Sequence, residues 1–201
     1  MKRTLYIVCV LLLTLSLLTG CGSSENVRFE KTEQPKVRPQ TPEAAASVYQ
    51  SVLVQYRQAV AQRADSAALS EAGLSSLCAL CYESGVENGI GYLLYDLDGN
   101  GSLELSIGAI SGDSSVEKQL FAVYTQLDGQ ALPLLCGNSE NRYYLCNDGN
   151  IAWEGDNDAE IPGSSRVCVI AADGTLRGTN LVANPENYIQ IDFIPLSVNI
   201  T

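Results

Sequence analysis

From Ile90 onward this chain breaks into short apolar runs separated by Asp, Asn and Gly, a rhythm too short for helices and suited to strands joined by tight turns. Runs at 91–95, 103–110, 119–126, 131–136, 142–146, 150–154, 166–171, 176–178 and 188–193 read as strands. Three pairs, Asp128-Gly129, Asp148-Gly149 and Asp173-Gly174, fall between them, and type I′ hairpin turns need the positive φ that these residues tolerate. The expected unit over 90–195 is therefore an antiparallel β-meander. Pro195, which has no N–H to offer a ladder, suits a strand end.

Upstream, the periodicity is helical. Thr41-Pro42-Glu43 combines an N-cap hydroxyl, a proline whose missing N–H costs nothing at the first position, and an acid in the first turn. Val48, Tyr49, Val52, Leu53, Tyr56 and Val60 follow at helical spacing, which predicts an amphipathic helix to about Arg63. Leu74, Leu77, Cys78, Cys81 and Tyr82 give a second helical pattern that ends near Gly85. Residues 42–201 are thus expected to form one α+β domain, with amphipathic helices over 42–85 packed on the sheet.

The N-terminus predicts where this domain works. Lys2 and Arg3 precede an apolar run from Leu5 to Leu18, too short to span a bilayer and followed by Thr19-Gly20-Cys21, the pattern of a signal peptide over 1–20. The tetrapeptide Leu18-Thr19-Gly20-Cys21 resembles the lipobox of bacterial lipoproteins. That resemblance implies cleavage before Cys21, lipidation of its thiol, and anchoring on the extracytoplasmic face of the cell membrane without a span. Residues 21–41, polar and carrying Pro35 and Pro39, read as the lipidated cysteine and a disordered tether. Losing Lys2 and Arg3 but no acid moves the formal charge from −11 to −13, which excludes nucleic acid as a partner on electrostatic grounds.

Residues 96–104 read D-L-D-G-N-G-S-L-E, the densest group of hard oxygen ligands in the chain. Acids at alternate positions of a tight loop can aim several oxygens at one Ca²⁺, which takes six to eight at about 2.3–2.6 Å. An EF-hand would need helical flanks and a Glu at its twelfth position, which is Ile107; Leu103, Leu105 and Ile107 instead alternate with Glu104 and Ser106 as in a strand. The loop therefore joins two strands. In that setting it resembles the calcium loops of FG-GAP and related bacterial β-hairpin repeats. The resemblance implies Asp96, Asp98, Asn100 and Glu104 as side-chain ligands and the Ser102 carbonyl as the backbone ligand of a structural Ca²⁺. The order of lipobox, polar tether, amphipathic helix, loop and Asp-Gly meander also looks like a group of lipoproteins from gut Firmicutes that carry no agreed activity.

Chemistry elsewhere is sparse. The chain has no histidine, which removes Ser-His and Cys-His catalysis and histidine metal ligands. Lys118 follows Ser114 and Ser115 in a loop, the one candidate serine–lysine pairing outside the tether, and Glu154, Asp156, Asp158 and Glu160 read as a solvated acidic loop. Of seven cysteines, Cys9 leaves with the signal and Cys21 takes the lipid; Cys136 and Cys146, on what read as neighbouring strands, are a candidate disulfide. Cys78-Ala-Leu-Cys81 would support redox chemistry only if Cys78 were exposed with a lowered pKa. The expectation is a non-catalytic binding or structural module for a cell-surface protein or glycan, with a small cell-envelope hydrolase and a thiol redox lipoprotein as the competing readings.

Overall fold

Thr41 caps the first helix as its sequence implies, with extended φ/ψ and its Oγ1 accepting the Ala44 N–H at 3.3 Å. The computed structural model describes residues 40–83, 89–110, 116–155, 165–171 and 174–198. The signal peptide, Cys21, the tether up to residue 39, Gly85, Ser114, Ser115, Asp173 and the acidic run Asp156, Asp158 and Glu160 lie outside the described residues. Helix α1 (Pro42–Ala61) buries Tyr49, Val52, Leu53 and Tyr56 of the stripe its periodicity predicts, together with Ala45, while Val48 and Val60 are partly buried against the same core. A short helix not foreseen, α2 (Ser66–Glu71), starts where the Asp65 carboxylate accepts the Ala68 N–H at 2.9 Å. The second predicted helix is only α3 (Leu77–Glu83); Leu74 precedes it, yet Leu74, Leu77, Cys78 and Cys81 are all buried.

Among the described residues nine strands make one antiparallel sheet: β1 (Ile90–Tyr95), β2 (Glu104–Ala109), β3 (Gln119–Leu127), β4 (Gln130–Cys136), β5 (Asn141–Leu145), β6 (Ile151–Gly155), β7 (Ser165–Ile170), β8 (Leu176–Val182) and β9 (Ile194–Pro195). Their order is β8-β7-β6-β5-β3-β2-β1-β9, with β4 paired only to β3. The departure from a simple meander has a definite origin. Ala122–Leu127 of β3 pairs with β4, while Gln119 and Leu120 of the same strand pair with Tyr144 and Tyr143 of β5. Because β2 takes the opposite edge, β4 and β5 lie end to end along β3 and do not pair with each other.

That arrangement corrects the proposed bridge. Cys136 and Cys146 are not on neighbouring strands, and both are free thiols, the first exposed and the second buried. The turns differ in a related way. Asp128 and Gly129 both have positive φ, 52° and 75°, as type I′ requires. At Asp148-Gly149 only the glycine does; Gly149 N–H reaches the Cys146 carbonyl and Cys146 N–H the Asn150 carbonyl, the geometry of a three-residue loop with a left-handed glycine. The Ala171–Thr175 turn has the same hydrogen bonds around Gly174.

The last predicted strand, 188–193, is not one. Tyr188 makes an isolated bridge to Cys146, and the sheet's final strand is Ile194–Pro195 beside β1. The segment before it instead covers a gap in the sheet. Gly91 and Gly108 are cross-strand partners, and Phe193 lies over both: a Cβ on Gly91 would sit 2.7 Å from Phe193 Cβ, one on Gly108 2.5 Å from Phe193 Cζ. Phe193 packs there with Leu120, Val123 and Ile191. The opposite face carries Tyr92, Leu105, Ile107 and Phe121 against Tyr49, Leu53 and Tyr56 of α1. Both faces of β1–β3 are thus covered, which is why Glu104 and Ser106 are buried along with the apolar residues between them.

Candidate metal centre

Strands β1 and β2 pair in register up to Tyr95 opposite Glu104, so the connection is Asp96–Leu103 and its last acid already belongs to a strand. Two glycines turn the chain at φ of 74° (Gly99) and 89° (Gly101), values open to glycine and strained for other residues. Asp96 holds the bend from within: Oδ1 accepts the Gly99 N–H at 2.8 Å and Oδ2 the Gly101 N–H at 3.0 Å. Asp98 Oδ1 accepts the Asn100 N–H at 3.0 Å. Asn100 donates its side-chain amide to Asp98 Oδ2 at 2.8 Å and accepts the Ser102 N–H on Oδ1 at 2.6 Å. These short-range bonds fix the loop without using any partner outside it.

Glu104 is different. It is 0% exposed, with Oε2 accepting the Leu97 N–H at 2.9 Å and Oε1 the Thr125 hydroxyl at 3.3 Å. Oxygens of Asp96, Asp98 and Glu104 lie within 4.8 Å of one another. Burial, reinforced by the charges of Asp98 and Asp96, pushes the Glu104 carboxyl up to about 7, and burial with Asp96 nearby raises Asp98 as well. Three acids in so small a space, one of them dry, need a proton or a cation between them at neutral pH. This acidic triad could hold a metal ion, and a divalent ion with oxygen preference suits its donors. Of the five expected ligands the triad supplies three; Asn100 and Ser102 stand in the same loop, with the Asn100 oxygen turned to the Ser102 N–H.

The residues that hold the loop in place come from elsewhere. Leu103 is gripped on both sides: Tyr49 of α1 donates its hydroxyl to the Leu103 carbonyl at 2.8 Å, and the Gln40 side chain accepts the Leu103 N–H at 3.1 Å. Thr125 reaches Glu104 from β3. No local pattern marks Gln40, Tyr49 or Thr125 as site residues; their roles follow from the packing of α1 and β3 on the hairpin. Gln40 also belongs to the folded domain, although the sequence places it in the tether.

A cavity of about 220 Å³ opens beside Asp98, lined also by Leu97, Ile151 and Ile170 and by the Asp148-Gly149-Asn150 turn. The two Asp-Gly-Asn segments share a bonding pattern: Asp148 accepts the Asn150 N–H and side-chain amide at 3.0 and 2.8 Å, as Asp98 does from Asn100. Among the described residues only the first belongs to a cluster of three acids. Comparison of the chain with protein-family profiles, curated proteins and solved structures gives no match. The geometry of the hairpin therefore carries the reading of the site.

The thiol redox reading finds its cysteine poorly placed. Cys78 is fully buried, and burial, with Cys81 and Cys136 nearby, drives its thiol well above the ordinary range, the reverse of what a redox thiol requires. Lys118 Nζ donates to the Tyr188 carbonyl at 3.2 Å. Its proposed serine partners lie outside the described residues.

The raised Glu104 carboxyl sets a pH signature. Its folded value of about 7 exceeds the unfolded value near 4.5, so the metal-free native state binds the extra proton between them. That contribution is fully present below the unfolded value and is lost as pH rises through the folded one. Melts of metal-free protein should therefore show Tm falling between about pH 5 and about pH 8, and Glu104→Gln should flatten that slope. Saturating Ca²⁺ should do the same to the wild type, since the ion replaces the proton; equal slopes in all three samples would remove Glu104 from the site.

Proposed function

We propose that this protein is a lipid-anchored, extracytoplasmic binding or structural module whose first hairpin is closed by a structural Ca²⁺. The observation that carries the cation is the dry Glu104 carboxylate with Asp96 and Asp98 oxygens within 4.8 Å. Asp96, Asp98 and Glu104 supply charge, and Asn100 and the Ser102 carbonyl complete the set that the loop's resemblance implies. Ca²⁺ suits this reading better than Mg²⁺, which demands near-octahedral geometry and releases its waters reluctantly. Extracellular modules commonly bind Ca²⁺ with Kd of about 10⁻⁴–10⁻³ M, so the ion serves as a fixed part of the fold.

The anchoring half of the proposal rests on Cys21 and the apolar run before it. The domain then acts as a platform for a cell-surface protein or glycan, with an acidic charge that disfavours nucleic acid. Two measurements test the halves separately. Calorimetric titration of metal-free protein with Ca²⁺ should give one site, lost in Asp98→Ala. Expression with Cys21→Ser should release the protein from the membrane fraction and leave the Ca²⁺ titration unchanged. A protein that stays membrane-bound without Cys21 contradicts the lipid anchor, and a flat titration contradicts the metal.

A further inference from the structure

We propose that Gln40 is a positioning residue for the cation loop, coupling ion binding to the point where the chain enters the domain. This rests on the reading of Asp96, Asp98 and Glu104 as a cation site. Gln40 stands one residue before the N-cap of α1 and touches the loop and the sheet together. Its N–H donates to the Gly101 carbonyl at 2.8 Å. Its side-chain oxygen accepts both the Leu103 N–H at 3.1 Å and the Gln126 amide at 2.7 Å, and its own amide faces Gln126 Oε1 at 3.3 Å. One residue thus clamps the stretch 101–103 to β3.

The clamp sits where the loop must be most accurate. Gly101 and Leu103 flank Ser102, whose carbonyl is the expected backbone ligand, and Gln126 follows Thr125, whose hydroxyl meets Glu104. The Ser102 carbonyl shares its peptide group with the Leu103 N–H, so the bond from that N–H to Gln40 sets the direction in which the carbonyl points. With Gln40 docked, part of that ordering is already complete, so the ion binds a prepared loop. Linkage makes the effect reciprocal: whatever Gln40 adds to ion affinity, the ion adds to the docking of Gln40. Ion occupancy is thereby communicated to the residue at which the expected membrane tether begins.

The test uses the full chain in detergent, with Ca²⁺ as the only added ligand. Gln40→Ala should weaken Ca²⁺ binding by on the order of five-fold. Gln126→Ala, which removes the contact to β3 and leaves Leu103 bonded, should weaken it less. A chelator melt of each variant checks that it folds. In the wild type, hydrogen exchange at the Gln40 amide should slow on adding Ca²⁺ by a larger factor than at amides in the middle of α1, an excess that stabilisation of the whole fold alone would not produce. Unchanged affinity in Gln40→Ala, or exchange at Gln40 indifferent to Ca²⁺, overturns the coupling while the metal site stands. No Ca²⁺ effect on the wild-type melt sinks the site and the coupling together.

Discussion

Adding Ca²⁺ to the metal-free protein at about 100 times its Kd should stabilise the fold by about 2.7 kcal/mol and raise Tm by about 5–11 °C. On the proposed reading the ion has a site only in the folded hairpin, because Asp96, Asp98 and Glu104 converge only when β1 and β2 are paired in register. Asp98→Ala should abolish the shift. It should also make the metal-free protein less dependent on a proton at Glu104, since one of the charges that raises Glu104 is gone. Asp148→Ala is the matched control: it removes the same local bonds to the following Asn in a turn that does not belong to the acidic triad. If Asp148→Ala loses the shift and Asp98→Ala keeps it, the loop is only a turn.

Truncating Phe193 should be the most damaging single change on the face of the sheet away from α1. Phe193→Ala removes a buried ring from above Gly91 and Gly108 and should cost about 3–5 kcal/mol, or about 6–20 °C in Tm. The glycines are the other half of the same contact. Gly108→Ala puts a methyl into the ring and 2.9 Å from the Gln119 carbonyl, a backbone atom that cannot swing away, and overpacking of this kind costs about 1–3 kcal/mol. Combined, the two substitutions should cost less than their sum, because the methyl enters space that the ring has left. A strictly additive double mutant in thermal melts would mean that Phe193 does not pack on Gly108.

That contact also explains the largest misreading of the sequence. Residues 188–193 carry alternating apolar side chains, and period 2 is the mark of a strand; nothing local says that Phe193 is needed above a pair of glycines on β1 and β2, far earlier in the chain. The same limit applies to β4. Its composition is that of a strand, but whether it or β5 takes a given stretch of β3 depends on the length of β3, which at Gln119–Leu127 has room for both. The disulfide expectation failed for this reason and not from any fault in the cysteine spacing. By contrast α1 was fully legible, because cap, proline and apolar stripe all lie within one contiguous segment.

The sequence by itself determined the local parts: the Thr41 cap, the positions of most strands, the glycines of the loop, and the acids at alternate positions that make 96–104 a candidate site. Tertiary structure decided what those acids experience. Glu104 alternates with apolar residues and by period alone would point away from the core, yet α1 covers one face of the hairpin and Phe193 with its neighbours the other, so no face of β2 is left to water. Burial is a property of what packs from far along the chain. It turns an ordinary glutamate into one that must share a proton or a cation with Asp96 and Asp98.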